Sequence, residues 1–365
     1  MKISTFGAPV ALLAAAALTL SACATNEPAQ PGNGGSNGAT TAASTLAGKG
    51  ASSMSAAQQK WIADYQSAHP GVTINYSPDG SGAGRQAFTS GAVKYAGSDR
   101  PFKDDEMGAG KFGKCTAESN ALNLPVYVSP IAVIFNVNGV TDLKLDPDTL
   151  AGIFAGKITK WNDPKIVNTN KGATLPDAAI TAVHRADDSG TTSNFTDYLH
   201  QAAPSVWTEA ASDTFPGAFG GESAKGTSAV VDAVTTGTNT IGYADASAAK
   251  DLGHAQLEVG TEWLSPTAEA AAKIVDESKQ VAGRGEHDLA LTLTRKAPGV
   301  YPAVLVSYAL VCEAYKDAND AQLVKGFIGY AASADGQKAA AQAAGSAPLS
   351  ESMQAKVKAA IDSIK

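Results

Sequence analysis

Two long, mainly apolar runs, Leu124 to Val137 and Tyr301 to Cys312, constrain the architecture of this chain more than any other feature. Each reads as a long buried strand. They stand about one third and five sixths of the way along, and both are long enough to run between two domains. A chain that crosses twice builds one domain from both of its ends, and that topology permits hinge closure on a ligand held in the cleft. Shorter strand patterns (Val72 to Tyr76, Val93 to Ser98, Ala179 to His184, Thr240 to Tyr243) alternate with helical ones. The helical faces are Trp61, Ile62, Tyr65 and Ala68; a short stretch from Leu150; Phe195, Tyr198 and Leu199; and Val230, Val231 and Val234. Three alanine-rich helices finish the chain, the last with Met353, Val357, Ile361 and Ile364 on one side. The class is therefore α/β.

The first residues read Met-Lys, an apolar run from Ala8 to Leu20, then Leu20-Ser21-Ala22-Cys23. The run is too short to span a bilayer, and small residues precede the cysteine, so residues 1–22 are expected to be a signal peptide. The ending resembles the bacterial lipobox, which implies lipidation of Cys23 and an extracytoplasmic protein anchored to the cell membrane; two acyl chains suffice for a stable tether. Apart from Cys23 and Glu27, residues 23–45 are Asn, Pro, Gln, Gly, Ser, Ala and Thr with little apolar bulk, and are expected to form a flexible linker. The small-residue stretch from Leu46 to Met54 then reads as a loop before the first helix.

Net charge is −7 over 365 residues. That acidity argues against nucleic acid and anionic lipid as partners. Any bound anion must then be held by local dipoles and hydrogen bonds. Besides Cys23 the chain has only Cys115 and Cys312, which in an oxidising compartment suggests one disulfide closing a long loop. Such a bridge would contribute roughly 4–5 kcal/mol on the chain-entropy account. Two cysteines without paired histidines cannot complete a tetrahedral metal site, so no metal and no cofactor are expected.

Chemistry concentrates in Arg185-Ala186-Asp187-Asp188-Ser189-Gly190-Thr191-Thr192, between a strand pattern and a helix pattern. Free backbone N–H groups and the positive dipole end at a helix start make an anion seat. A guanidinium can grip two oxygens of a tetrahedral anion while hydroxyls donate to the others, and Asp187 could orient Arg185 from behind. An ordinary N-cap with a surface ion pair would use the same residues. Asp79-Gly80-Ser81-Gly82-Ala83-Gly84-Arg85 is a second candidate seat; read alone it is also a plain tight turn. It is neither a dinucleotide loop nor a Walker loop, because the required Gly and Gly-Lys-Ser/Thr are missing. Asp99 falls at the carboxyl end of a strand pattern, where α/β proteins place ligands. By itself it reads as a turn aspartate; the sharper alternative is an acceptor for a proton carried by the ligand.

Five ordered segments, Gly50-Ala-Ser-Ser, Gly80-Ser-Gly-Ala-Gly, Gly97-Ser-Asp-Arg-Pro, Gly156-Lys-Ile-Thr-Lys-Trp161 and Arg185-Ala-Asp-Asp-Ser-Gly-Thr191, together resemble the phosphate-binding lipoprotein of the high-affinity phosphate ABC importer. The resemblance implies a two-lobed periplasmic-binding-protein fold whose discontinuous first domain comprises residues 46–127 and 303–365 and whose second comprises residues 128–302. It implies phosphate donors at Arg185, Ser189, Gly190, Thr191 and Ser81, with Ser52 and Ser53 where the family's first loop donates. Asp187 would support Arg185, and Asp99 would accept the ligand's proton. Phosphate near neutral pH keeps a proton and sulfate does not, so a buried carboxylate facing the ligand rejects sulfate. Two departures stand out: the family often has Thr-Phe in place of Ser52-Ser53, and glycine is common where Asp188 stands.

The expected function is binding of inorganic phosphate outside the membrane and its delivery to ABC permease subunits, by a monomer with no enzymatic activity. Alternatives are another oxyanion (sulfate, molybdate or a phosphonate) and a secreted phosphatase using Ser189. The latter lacks metal-ligand spacing among the five histidines and the G-x-S-x-G elbow.

Overall fold

A computed structural model describes residues 44–365. The expected signal peptide, Cys23 and nearly all of the expected linker lie outside the described residues. The first elements are β1 (Ser44–Gly50), α1 (Ser55–Ala68), β2 (Val72–Ser77), α2 (Ser81–Ser90), β3 (Tyr95–Ser98) and the long β4 (Ala121–Asn136). Next come β5 (Lys144–Leu145), α3 (Pro147–Phe154), α4 (Pro164–Thr169), β6 (Thr181–Arg185), α5 (Gly190–Ala202), β7 (Glu222–Ala224), α6 (Gly226–Thr236) and β8 (Thr240–Asp245). Short pieces follow: β9 (Gly253–His254), β10 (Gln256–Val259), β11 (Glu262–Leu264), α7 (Ala268–Ala272), α8 (Ile274–Glu277), β12 (Lys279–Gln280) and β13 (Leu291–Thr292). The chain then returns through β14 (Val304–Cys312) and ends in α9 (Ala318–Ala332), α10 (Ala334–Ala344) and α11 (Glu351–Ser363).

Among the described residues, nine strands join in the order β2-β1-β3-β14-β4-β8-β6-β7, with β9 also on β4. The long strand β4 carries both halves of this sheet. Its residues 121–130 pair antiparallel with β14, and its residues 131–136 pair antiparallel with β8. All but the last residue of β4, and every residue of β14, are buried, so both read as continuous apolar runs. The first half also holds β1, β2 and β3, with α9, α10 and α11 packed nearby; the second holds β6, β7 and β8 with α5 and α6. Cys115 and Cys312 are disulfide-bonded, with Cα atoms 5.3 Å apart, as expected.

Two sequence expectations are corrected in the first strand. The stretch from Leu46 is not a loop, and Ser44 and Thr45 are not linker: β1 is a parallel strand between β2 and β3. Its glycines serve close packing. A Cβ on Gly48 would lie 2.2 Å from the Tyr95 ring, and one on Gly50 would lie 1.9 Å from the Gly97 carbonyl oxygen. The stretch from Gly217 to Gly226, whose glycines read in the sequence as a loop, contains β7, which pairs parallel with β6. Ala68, expected on the buried face of α1, is exposed.

Candidate functional site

The amino ends of four helices meet at the junction of the two half-sheets. Helix α1 follows Ser52 and Ser53, α2 begins at Ser81, α5 at Gly190 and α6 at Gly226. Each start presents N–H groups that no intrahelical carbonyl satisfies, and each contributes a positive dipole end. Gly80 opens α2 with φ of 101°, a left-handed-side conformation that glycine adopts without strain, and a Cβ there would lie 2.4 Å from Asp187 Oδ2. Ser189 caps α5: its Oγ accepts from the Thr192 N–H at 3.2 Å, leaving its own hydrogen to donate. Capping and anion binding use different atoms of one hydroxyl, so the two readings of this motif are compatible.

Asp99 lies at the centre, 2% exposed. Its Oδ1 accepts from Ser53 Oγ at 2.7 Å and Ser307 Oγ at 2.8 Å, and its Oδ2 accepts from Thr191 Oγ1 at 3.0 Å. Its backbone N–H donates to Ser81 Oγ at 3.1 Å, and its carbonyl accepts from Asn194 Nδ2 at 2.6 Å. A Cβ on Gly190 would stand 2.5 Å from Ser81 Oγ and 2.7 Å from Asp99 Cβ, so the two halves approach to the limit that a hydrogen atom permits. Burial pushes the Asp99 carboxyl above its ordinary value; the three hydroxyls and the Arg185 charge pull it down without cancelling that effect.

Arg185 ends β6 with its side chain 3% exposed. Its Nε donates to Asp187 Oδ1 at 2.8 Å and its Nη2 to Asp187 Oδ2 at 2.5 Å. Asp187 Oδ1 also accepts from the Gly226 N–H at 3.0 Å, tying the arginine to the start of α6. Burial opposes ionisation of Asp187, yet the bonds from Arg185 hold its carboxyl below the ordinary value. Asp188 turns away: it is exposed, and its Oδ1 accepts from Thr214 Oγ1 at 2.8 Å while its backbone carbonyl accepts from the Gly82 N–H at 3.0 Å. The extra carboxylate is thus kept out of the seat.

Ser53, Ser81, Asp99, Gly190 and Thr191 come together directly, with Ser189 and Arg185 on the flanking turn. Ser52 is one step removed: its Oγ lies 3.0 Å from Thr227 Oγ1 and accepts from the Thr227 N–H at 3.2 Å, joining the starts of α1 and α6. Sequence reasoning missed Ser307, Thr227 and Asn194. Ser307 carried a signal, a small hydroxyl inside the apolar run of β14 that must find a partner when buried. It also missed a rim of charge in which Asp213 joins Arg85 and Arg100.

Comparison with known proteins identifies the family. A family model described as a PBP superfamily domain matches residues 35–335. The chain is 37% identical over 376 residues to phosphate-binding protein PstS 2 of Mycobacterium tuberculosis, covering 100% of both. It is 36% identical over 342 residues to phosphate-binding protein PstS 3 of Mycobacterium tuberculosis, covering 90% of each. Among solved structures, a phosphate-binding protein from Stenotrophomonas maltophilia superposes with a TM-score of 0.68 at 21% identity, covering 87% of this chain and 94% of that one. A high affinity periplasmic phosphate-binding protein, PfluDING, solved with bound phosphate, gives 0.68 at 23% identity and covers 86% and 93%. The family expected from five short motifs is the family found: the chain belongs to the PstS phosphate-binding proteins and has the two-lobed α/β fold of the PBP superfamily.

Proposed function

We propose that this protein captures inorganic phosphate outside the cytoplasm and passes it to the permease of an ABC importer. The observation that carries the reading is Asp99: a buried carboxylate that receives three hydroxyl hydrogens from three separate elements, beside the Arg185 guanidinium and four helix starts. Each hydroxyl has a single hydrogen to give. When a protonated oxyanion enters, Ser53 and Thr191 can turn their hydrogens onto its oxygens, and Asp99 is released to accept the proton on the anion. Ser81, Ser189, Arg185 and the backbone N–H groups of Gly190 and Thr191 complete the shell, with Ser52 contributing from the first loop. A fully ionised sulfate offers Asp99 no hydrogen and meets an unpaired buried charge.

Charge-assisted hydrogen bonds contribute about 1.5–3 kcal/mol each, and micromolar affinity needs about 8 kcal/mol, so a handful suffices after the loss of rigid-body freedom. The Ser189 oxygen caps α5 and its hydrogen is left to donate, a role that suits holding an anion. Capture without turnover is the reading that this chemistry supports.

The lobes we propose are residues 46–127 with 303–365 and residues 128–302; β4 runs through both, its partner changing from β14 to β8 after Pro130, whereas β14, expected to cross as well, pairs only with β3 and residues 121–130 of β4. The protein acts as a monomer, tethered by lipid on Cys23 after removal of residues 1–22; among the described residues no helix is long and apolar enough to cross a membrane. Isothermal titration of residues 44–365 with phosphate and with sulfate tests the ligand. Saturable phosphate binding with sulfate at least a hundredfold weaker is expected; equal binding of the two, or no phosphate binding, overturns it.

A further inference from the structure

At the rim of the cleft, Asp213 lies on the irregular segment between α5 and β7, where its backbone carbonyl accepts from the Ser189 N–H at 2.9 Å. Its carboxylate reaches across to the other half. It accepts from Arg85 Nη2 at 2.6 Å, from Arg100 Nη2 at 2.7 Å and from Arg100 Nε at 3.0 Å. Among the described residues, all side-chain hydrogen bonds of Asp213 go to these two arginines. Arg85 stands one turn after Ser81 on α2, and its Nη1 donates to Ser98 Oγ at 2.8 Å, next to Asp99. Arg100 follows Asp99 and is held in a fork by Glu106 at 2.6 and 2.9 Å. The side chains of Arg85, Arg100 and Asp213 are 6%, 11% and 14% exposed.

Two guanidiniums and two carboxylates balance here only while Asp213 is in place. Removing one partner of a buried, hydrogen-bonded charge group leaves the others uncompensated, which is where such groups become energetically decisive. The contact also links the two anion seats, because Asp213 is bonded to Ser189 on one side and grips the helix of Ser81 on the other. We propose that Asp213 is a positioning residue for retention: with Arg85 and Arg100 it forms an ionic clasp between the lobes that sets how fast a captured oxyanion leaves. The inference rests on the phosphate-capture reading. It assigns to the clasp the dissociation rate and leaves to Asp99 the choice of anion.

Stopped-flow measurement of phosphate binding to the full chain tests it, with wild type, Asp213→Asn, Asp213→Glu and Arg100→Gln. Asp213→Asn is expected to raise the dissociation rate at least tenfold, change the association rate less than threefold and leave the phosphate-to-sulfate ratio unchanged. Asp213→Glu restores most of the retention, and adding Arg100→Gln to Asp213→Asn has little further effect. The melting temperature should fall for the phosphate-loaded variant and stay put for the phosphate-free one. A dissociation rate within twofold of wild type overturns the clasp, as does an equal loss of melting temperature with and without phosphate, which marks a merely structural ion pair. Should Asp213→Asn fail to fold, Arg100→Gln carries the same readouts. Wild type that binds no phosphate overturns the capture reading itself, whereas wild type that binds it with an indifferent Asp213 removes the clasp alone.

Discussion

Asp99 accepts from three hydroxyls while nearly excluded from solvent, so Asp99→Asn keeps the shape and turns one acceptor atom into a donor. The expected result is a phosphate-over-sulfate preference at least tenfold smaller, seen by titration; an unchanged ratio removes Asp99 from proton reading. Acid should mimic the variant. Because burial raises this carboxyl, it takes up a proton earlier than an ordinary aspartate as pH falls, and the protonated form donates. Sulfate affinity should therefore rise as pH falls, and a flat profile contradicts the assignment. Asp245 gives a separate residue-scale test. It lies at the end of β8 and accepts from Tyr127 Oη at 3.1 Å and the Ser247 N–H at 2.9 Å. Burial pushes it up to about 6 from 3.8, against the bonds from Ser247. A folded value above the unfolded one means the folded state favours the proton. Stability present below pH 3.8 is then lost as pH rises through about 6, by at most about 3 kcal/mol. Melting curves of wild type and Asp245→Asn should diverge over that window, and parallel curves exclude the effect.

Helix α5 shows how much an element's start can carry. Gly190 has no space for a methyl group against Ser81 and Asp99, although alanine suits a helix. Gly190→Ala is expected to weaken phosphate binding at least tenfold while leaving the phosphate-free melting temperature within a few degrees. Equal melting losses with and without phosphate would mean that the two halves meet equally tightly in the phosphate-free protein. Most elements were legible in the chain itself: the buried runs of β4 and β14, the strand before Arg185 and the helix after Ser189 follow from apolar periodicity and a capping hydroxyl. Strand β1 was not legible. Its glycines look like a loop because the reason for them, the Tyr95 ring and the Gly97 carbonyl pressed against it, lies 47 positions away along the chain.

For the whole molecule, Cys115–Cys312 fastens the segment after β3 to the end of β14, both in the first half. Replacing both with serine should lower stability by roughly 2–5 kcal/mol, measured by denaturant unfolding. Phosphate affinity should stay within threefold, because neither cysteine reaches the site. A large loss of affinity would show that the bridge positions the cleft.

The chain order alone determined the α/β class, the two long buried strands and the disulfide partners, since apolar periodicity and cysteine count are properties of the chain itself, and it nominated the residues of the anion seat through capping motifs and the family resemblance. Tertiary structure alone decided that Ser307 and Thr227 join that seat, that Asp188 turns away from it and that Asp213 closes its rim. Those outcomes depend on which side chains the folded sheet brings within hydrogen-bond reach, and residues more than a hundred positions apart carry no mark of that proximity in their order.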